Sequence, residues 1–334
     1  MDSQGNATAI SKSAPADRSN IDWEIMWERF GIATVVIIAW IIAIFFLDNF
    51  SNVGNITSVL RQSAFVGISA VGMTIAIISG TFDLSVGAIL GLCAWVAVLI
   101  AGQFGLVASI ASALLVGMAL GSVNGLLVTR LKIPAFIATL GMYFVIRGFH
   151  FVLTEGAAAR YNGPEFIIFG NGKLAGILPI PFAIFLLCAL IGAIVLNRTP
   201  FGRYVYALGS SSSASKVAGV PIRKVIMIVF ILVGLFTAIS GFLLGSRLYS
   251  AGPGLEPGFE LTVIATVVLG GTRLSGGRGS MLGTVSAAIL FATMANVLNL
   301  LQADAFIQKV AVGLVLLLAL SIDGIRQRLV ERKG

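Results

Sequence analysis

The sequence predicts an all-α, polytopic membrane protein of about ten transmembrane helices with both termini in the cytoplasm. Three observations carry this expectation. Of 334 residues, 57% are hydrophobic and only 11% charged, with a mean hydropathy of +1.00. A soluble domain carries about 25% charged residues, so this chain has too little polar surface to remain in water. The apolar runs are of helix length, roughly 17 to 23 residues, as a hydrocarbon layer about 30 Å thick demands. Finally, basic residues gather in short links between the runs, which is how membrane helices are oriented.

Residues 1–30 begin polar, with Lys12, Pro15 and Arg18, then turn amphipathic across Ile21, Trp23, Ile25, Met26, Trp27 and Phe30. They read as a short disordered cytoplasmic tail and an interfacial helix with its tryptophans at headgroup level. The next run, Gly31 to Leu47, is longer than a signal-peptide core and lacks a small-residue cleavage site. It opens a transmembrane domain over 31–322, followed by a cytoplasmic tail, 323–334. Apolar segments fall at 31–47, 63–79, 86–101, 105–128, 134–153, 177–196, 224–246, 259–270, 281–300 and 305–322. The segments 86–101 and 259–270 are short for a span, and are either tilted or half-helices that meet non-helical backbone inside the protein.

Loop charges set the topology. Segment 197–224 holds Arg198, Arg203, Lys216, Arg223 and Lys224 without an acidic residue. Arg130 and Lys132 follow the fourth segment, Arg273 and Arg278 the eighth, and Arg326, Arg328, Arg332 and Lys333 lie near the C-terminus. Segments 154–176 and 247–260 mix both signs. Ten spans with both termini inside put every basic-only link in the cytoplasm.

Gly117, Gly121 and Gly125 recur at intervals of four along one face of the fourth segment, which admits another helix backbone closely. Ser79-Gly80-Thr81-Phe82-Asp83-Leu84-Ser85 faintly resembles Gly270-Gly271-Thr272-Arg273-Leu274-Ser275. Each ends an apolar run, as a duplicated half would, although a match this short is weak support for a repeat.

Enzymatic chemistry has little material here, and no catalytic residue is expected. The only histidine is His150, so histidine-based metal sites and Ser-His-Asp triads are not expected. Cys93 and Cys188 read as small buried hydrophobes, and no metal site is expected. The formal charge of +8 is spread over links and builds no nucleic-acid face. Gly209 through Lys216 comes nearest to a phosphate-binding loop, but has Ala214 and Ser215 where that motif needs other residues. Any ATP used must bind on another polypeptide.

Asp83 lies between two apolar runs, where a carboxylate is costly. It has three readings: cap or loop lock for a helix starting near Leu84 with Ser85 beside it, coupling group, or partner contact. Candidates for the inner faces of spans are Gln62, Ser63, Thr74, Trp95, Asn124, Thr139, Tyr143, Asn296 and Asn299, each equally able to act as helix-to-helix glue. In segment 197–224, Pro200 and Gly202 predict a turn after the sixth span. Serines 210 to 213 predict the cap of a short helix over Ala214 to Ala218, which Gly219 ends and Pro221 seals. Such a helix is either a handle for a soluble motor domain or part of a solvated linker.

Read together, several stretches carry a resemblance. They are Ile78-Ser79-Gly80-Thr81-Phe82-Asp83-Leu84-Ser85-Val86-Gly87, then Asn124-Gly125 with Lys132-Ile133-Pro134-Ala135-Phe136-Ile137-Ala138-Thr139-Leu140. Further on come Thr199-Pro200-Phe201-Gly202-Arg203 with Ala218-Gly219-Val220, and Val268-Leu269-Gly270-Gly271-Thr272 with Ser275-Gly276-Gly277-Arg278-Gly279. In this order they resemble the membrane permease subunits of bacterial monosaccharide ABC importers of the ribose, xylose, arabinose and galactose type. The resemblance implies a multi-pass inner-membrane permease without cofactor of its own. Two such subunits, identical or paralogous, would pair with ATP-binding subunits that hold ATP and Mg, and a periplasmic sugar-binding protein would deliver a small polar solute. It implies a coupling helix at Ser213, Ala214, Ser215, Lys216, Val217, Ala218 and Gly219, and structural or gating roles for Gly80, Asp83, Leu84, Ser85, Gly270, Gly271, Gly276 and Gly277. The candidates read from the residues themselves for the translocation path are Thr74, Trp95, Asn124, Thr139, Tyr143 and Asn296. The chain departs from the family at Ser210-Ser211-Ser212-Ser213-Ala214-Ser215, where sugar permeases commonly show Gly-Asn-Glu-x-Ala-Ala. An ATP-independent transporter or facilitator is the alternative, and a non-transporting scaffold a third class.

Overall fold

In hydrocarbon a backbone N–H or C=O has no water to bond, so an apolar run satisfies itself as helix. The computed structural model describes residues 19–255, 257–304, 306–308, 310–315, 317 and 321, with side chains from residue 31 onward. The expected tails, 1–18 and 323–334, lie outside the described residues. Helix α1 (Ser19–Phe46) is continuous, so residues 19–30 and the apolar run after them form one helix.

Helix α2 (Val53–Ile78) starts well before the expected residue 63. Asn52 accepts the Gly54 N–H at 2.8 Å, and the Thr57 and Ser58 hydroxyls each donate to Gly54 O at 2.9 Å. The polar first turns are thereby satisfied locally. Helix α3 (Val86–Thr129) holds the third and fourth predicted segments as two arms, broken at Gly105 with φ 80° and ψ 179°. After α4 (Ala135–Thr154) come strand β1 (Ala159–Arg160), α5 (Pro164–Asn171), β2 (Lys173–Leu174) and β3 (Leu178–Pro179). Then follow α6 (Ile180–Arg198), α7 (Pro200–Ser210), α8 (Ser212–Val217), α9 (Ile222–Leu248), β4 (Ser250–Ala251), α10 (Phe259–Leu269) and α11 (Met281–Leu300). A further apolar helix runs over Phe306–Val315.

Six of the described helices, α2, α3, α4, α6, α9 and α11, are long and apolar enough to cross a membrane. Helix α10 has 11 residues; at 1.5 Å per residue it covers about half of a 30 Å core. The turn expected at Pro200 and Gly202 is instead helical. Thr199 accepts the Gly202 N–H at 3.2 Å, and Pro200 sits in the first turn, where a missing N–H has no partner to lose.

The core centres on α2, buried along most of its length, and on the seam between α3 and α9. A Cβ on Gly117 would lie 2.5 Å from Gly234 O, and one on Gly125 2.7 Å from Met227 Sδ; one on Gly121 would strike Phe230 O. Gly121→Leu should therefore force these backbones apart, costing about 3 kcal/mol. A lowered melting temperature of the detergent-purified protein is the expected result; an unchanged one contradicts the seam. Ile37, Ile42 and Phe45 on α1, Phe144 and Phe149 on α4, and Leu187 and Ile191 on α6 point outward as an apolar skin.

Candidate functional site: a junction of three loops

Helices α2 and α10 stop in the same way. After α2, the N–H of Ser79 bonds Ile75 O at 3.2 Å, that of Gly80 bonds Ile77 O at 2.9 Å, and that of Thr81 bonds Ala76 O at 3.0 Å. After α10, Gly270 N–H bonds Thr266 O at 2.9 Å, Gly271 bonds Val268 O at 2.9 Å, and Thr272 bonds Val267 O at 3.2 Å. Both are Schellman-type stops, which need a left-handed residue; Gly80 has φ +81° and Gly271 φ +85°. The faint sequence likeness is a shared helix stop.

The two ends meet over the end of α7. The Gly277 N–H donates to Ile78 O at 2.9 Å, and the Tyr206 hydroxyl donates to Gly279 O at 3.2 Å. Burial raises the Tyr206 pKa, which keeps the proton available for donation. The loop turns back through Gly276, whose N–H bonds Arg273 O at 2.9 Å, while Arg273 N–H bonds Arg278 O at 3.1 Å. Gly209 packs its bare Cα into this corner. A Cβ there would collide with Ile78 O and lie 2.5 Å from Gly277 N.

Helix α8 follows directly. Ser211 caps it by accepting the Ala214 N–H at 3.2 Å. It ends at Gly219, φ +77°, with Val220 N–H on Ser215 O at 3.0 Å. Ser215 is buried, whereas Ser213, Ala214, Lys216, Ala218 and Gly219 are exposed and Val217 is 91% exposed. Val217 is thus not a core residue, and it is the most exposed apolar side chain of this short polar helix.

Beside the junction, Asp83 is fully buried and Leu84 half-buried. Asp83 Oδ1 accepts the Ser85 N–H at 2.7 Å and its hydroxyl at 2.6 Å. Asn124 Nδ2 donates to Asp83 Oδ2 at 2.9 Å and to Ser85 Oγ at 2.8 Å. The helix starts at Val86 rather than near Leu84, so Asp83 bonds the residue that precedes the first turn and locks the loop to the returning arm of α3.

The family described as branched-chain amino acid transport system / permease component matches residues 55–320, which takes in the junction, α8 and the Asp83 lock. The chain belongs to this permease family. It is similar to the ribose import permease protein RbsC of Escherichia coli (strain K12), 37% identical over 91% of this chain and 95% of that one. RbsC of Bacillus subtilis (strain 168) is 41% identical over 88% of this chain and 90% of its own. The L-arabinose transport system permease protein AraH of Escherichia coli (strain K12) is 35% identical over 96% and 98%. No solved structure matches the chain. The protein is thus a multi-pass inner-membrane permease subunit of the ABC-importer type, and its ATP-binding cassette is a separate chain.

At the other end of the permease, residues 159–171 and 246–251 form one platform. Strands β1 and β4 pair antiparallel, Ala159 with Ala251 and Arg160 with Ser250. Gly170 N–H bonds Ser246 Oγ at 2.8 Å, and Asn171 Nδ2 bonds Arg247 O at 3.1 Å. The Tyr161 phenol donates to Glu165, holding that carboxyl below its usual pKa.

The sequence candidates for the permease's path fall into two groups. Thr74 and Thr284 share a hydrogen bond at 2.7 Å, Asn296 Nδ2 donates to Asn55 Oδ1 at 2.7 Å, and Thr139 donates to Ala135 O at 2.8 Å. These, with Asn124, join helices or close within one. Tyr143 instead lines a cavity with Arg147, His150 and Glu260, and the Trp95 ring lies 5.6 Å from that of His150, tilted by 55°. Among the described residues, no group of three His, Cys, Asp or Glu side chains is placed to hold a metal. The sequence reading missed Gly209, Arg147 and Glu260. A glycine between two apolar residues and four serines, and an acidic residue opening an undersized apolar run, were the available signals.

Proposed function

We propose that the chain imports a monosaccharide, and that α8 with the loop junction transmits the work of the ATP-binding subunit to the gate. Ten spans with both termini inside put 197–224 in the cytoplasm, beside the ATPase, and the β1–β4 platform on the periplasmic face, where a sugar-binding protein docks. Residues 31–322 form the transmembrane domain and 197–224 its coupling loop. A second permease subunit completes the pathway.

The observation that carries this is the backbone packing of Gly209 against Ile78 and Gly277, one turn before an exposed helix tipped by Val217. A rigid push on α8 reaches the ends of α2 and α10 without passing through a flexible side chain. The sugar class follows from the relatives, two named for ribose import and one for L-arabinose transport. The serines at 210–213 take the place of the acidic residue found in related loops, so α8 meets its partner through hydroxyls, Lys216 and Val217.

Lys216→Pro breaks α8 past its first turn, costing about 3 kcal/mol of local helix, and Ala214→Pro removes the N–H that Ser211 caps. Each should leave the membrane bundle folded but lower uptake by the assembled importer more than its ATPase activity. Normal uptake with a broken α8 would remove the coupling assignment.

A further inference from the structure

We propose that Glu260, Arg147, Tyr143 and His150 form a low-affinity binding station for a neutral polyol about halfway across the membrane. The inference deepens the import reading above and rests on it.

Depth comes from the helices. Helix α10 ends at the loop junction beside the end of α2, and its 11 residues rise only about 16 Å from there. Glu260, in its first turn, therefore lies near mid-membrane. Residues 252–255 and 257–258, between the β1–β4 platform and α10, are non-helical backbone, and a Cβ on Gly91 of α3 would lie 3.9 Å from Leu255 O. Irregular backbone at this depth is tolerated where it is covered by protein or lines a cavity. Gly87 leaves room for the Glu260 carboxylate, which a Cβ there would strike.

The polar groups around the cavity are incompletely satisfied. Glu260 Oε2 is buried and accepts no hydrogen bond, although the Arg147 guanidinium lines the same cavity. His150 is 3% exposed, and its Nε2 is buried without a partner. Arg147 Nη1 donates to the Tyr143 hydroxyl at 2.6 Å, which leaves the phenol proton free to donate onward. An ionisable group at membrane depth and an orphaned buried acceptor both call for a ligand or a reason.

Charge and hydrogen-bonding chemistry narrow the ligand class; the cavity itself, ≈ 20 Å³, has room for about one water here, so a polyol enters only when it opens. Glu260 and Arg147 offset each other, so a neutral solute leaves the site balanced, whereas an ionic one unbalances it in a low dielectric. An unfilled acceptor at Glu260, donors at Tyr143 and Arg147, and an imidazole nitrogen match vicinal hydroxyls, each of which donates and accepts. The Arg147 guanidinium lies over the Tyr143 ring, 5.8 Å from its centroid, which fixes both donors side by side. A few such contacts suit a station that a solute must also leave.

The test uses the assembled importer, with its ATP-binding subunit and binding protein, in proteoliposomes with radiolabelled D-ribose and L-arabinose as probes. Glu260→Gln and Arg147→Lys should each lower uptake about tenfold, while ATPase stimulation by the loaded binding protein stays within about twofold. Tyr143→Phe should lower uptake less and alter the ribose-to-arabinose ratio, a readout that a merely structural role would not move. Unchanged uptake and sugar ratio in all three variants overturns the station. If Glu260→Gln fails to assemble, Tyr143→Phe decides: a shifted sugar ratio supports the station and an unshifted one overturns it. A wild-type importer that moves neither sugar contradicts the import reading itself and takes this inference with it.

Discussion

Gly209→Val is expected to reduce sugar uptake by the assembled importer more than about tenfold while the ATP-binding subunit stays bound, because a strain of a few kcal/mol at a coupled contact shifts its populations that far. The added side chain meets Ile78 O and Gly277 N, both main-chain atoms. Neither can swing aside as a side chain would. Either α7 tilts or the loop at 276–279 lifts, and the Gly277-to-Ile78 hydrogen bond breaks with it. Helix α8 remains exposed and able to dock, so ATP hydrolysis continues but no longer depends on loaded binding protein. Ala207→Val, at an exposed position of the same helix, should leave uptake normal. Uptake and ATPase measured on the purified complex check both; a Gly209→Val importer with wild-type uptake removes the junction from the mechanism.

Asp83→Ala should destabilise the permease by about 3 kcal/mol, because it orphans the buried Ser85 N–H and strips a shared acceptor from Ser85 and Asn124. The effect should appear as a lower melting temperature in detergent and a smaller assembled fraction, with the preference between ribose and arabinose unchanged. Asp83→Asn keeps an acceptor for Ser85 and should fall between. Altered preference with assembly intact contradicts the loop-lock account.

Much of this fold was legible because lipid imposes a length and a polarity that sequence displays directly. The run at 259–270 became α10 at Phe259–Leu269, and its shortness was real rather than a threshold effect. The glycines at 117, 121 and 125 marked a helix seam because interval four is a helix property. Local chemistry was harder. The first turns of α2 hid behind their own polarity, and Pro200 read as a turn when its neighbour Thr199 made it a helix start. The junction was not legible at all, since Ile78, Gly209 and Gly277 meet only through three loops far apart in the chain. What the sequence did show there was the repeated stop at Gly80 and Gly271, a local motif without its spatial consequence. Glu260 fell in the mixed-charge segment 247–260, and although the shortness of 259–270 allowed a half-helix, nothing in one dimension brings Glu260 beside Arg147 and His150.

The most direct measurement is a pair of spin-label distances through the ATP cycle of the assembled importer. Cys93 and Cys188 are both buried, so labels go to introduced cysteines at the exposed positions Ser213, Ser275 and Ala157. If α8 and the loop beyond α10 move as one body, the 213–275 distance holds within about 2 Å while the distance from 213 to 157 beside the platform changes when ATP binds. Movement of the 213 label relative to 275, with 275 fixed relative to 157, would contradict the account.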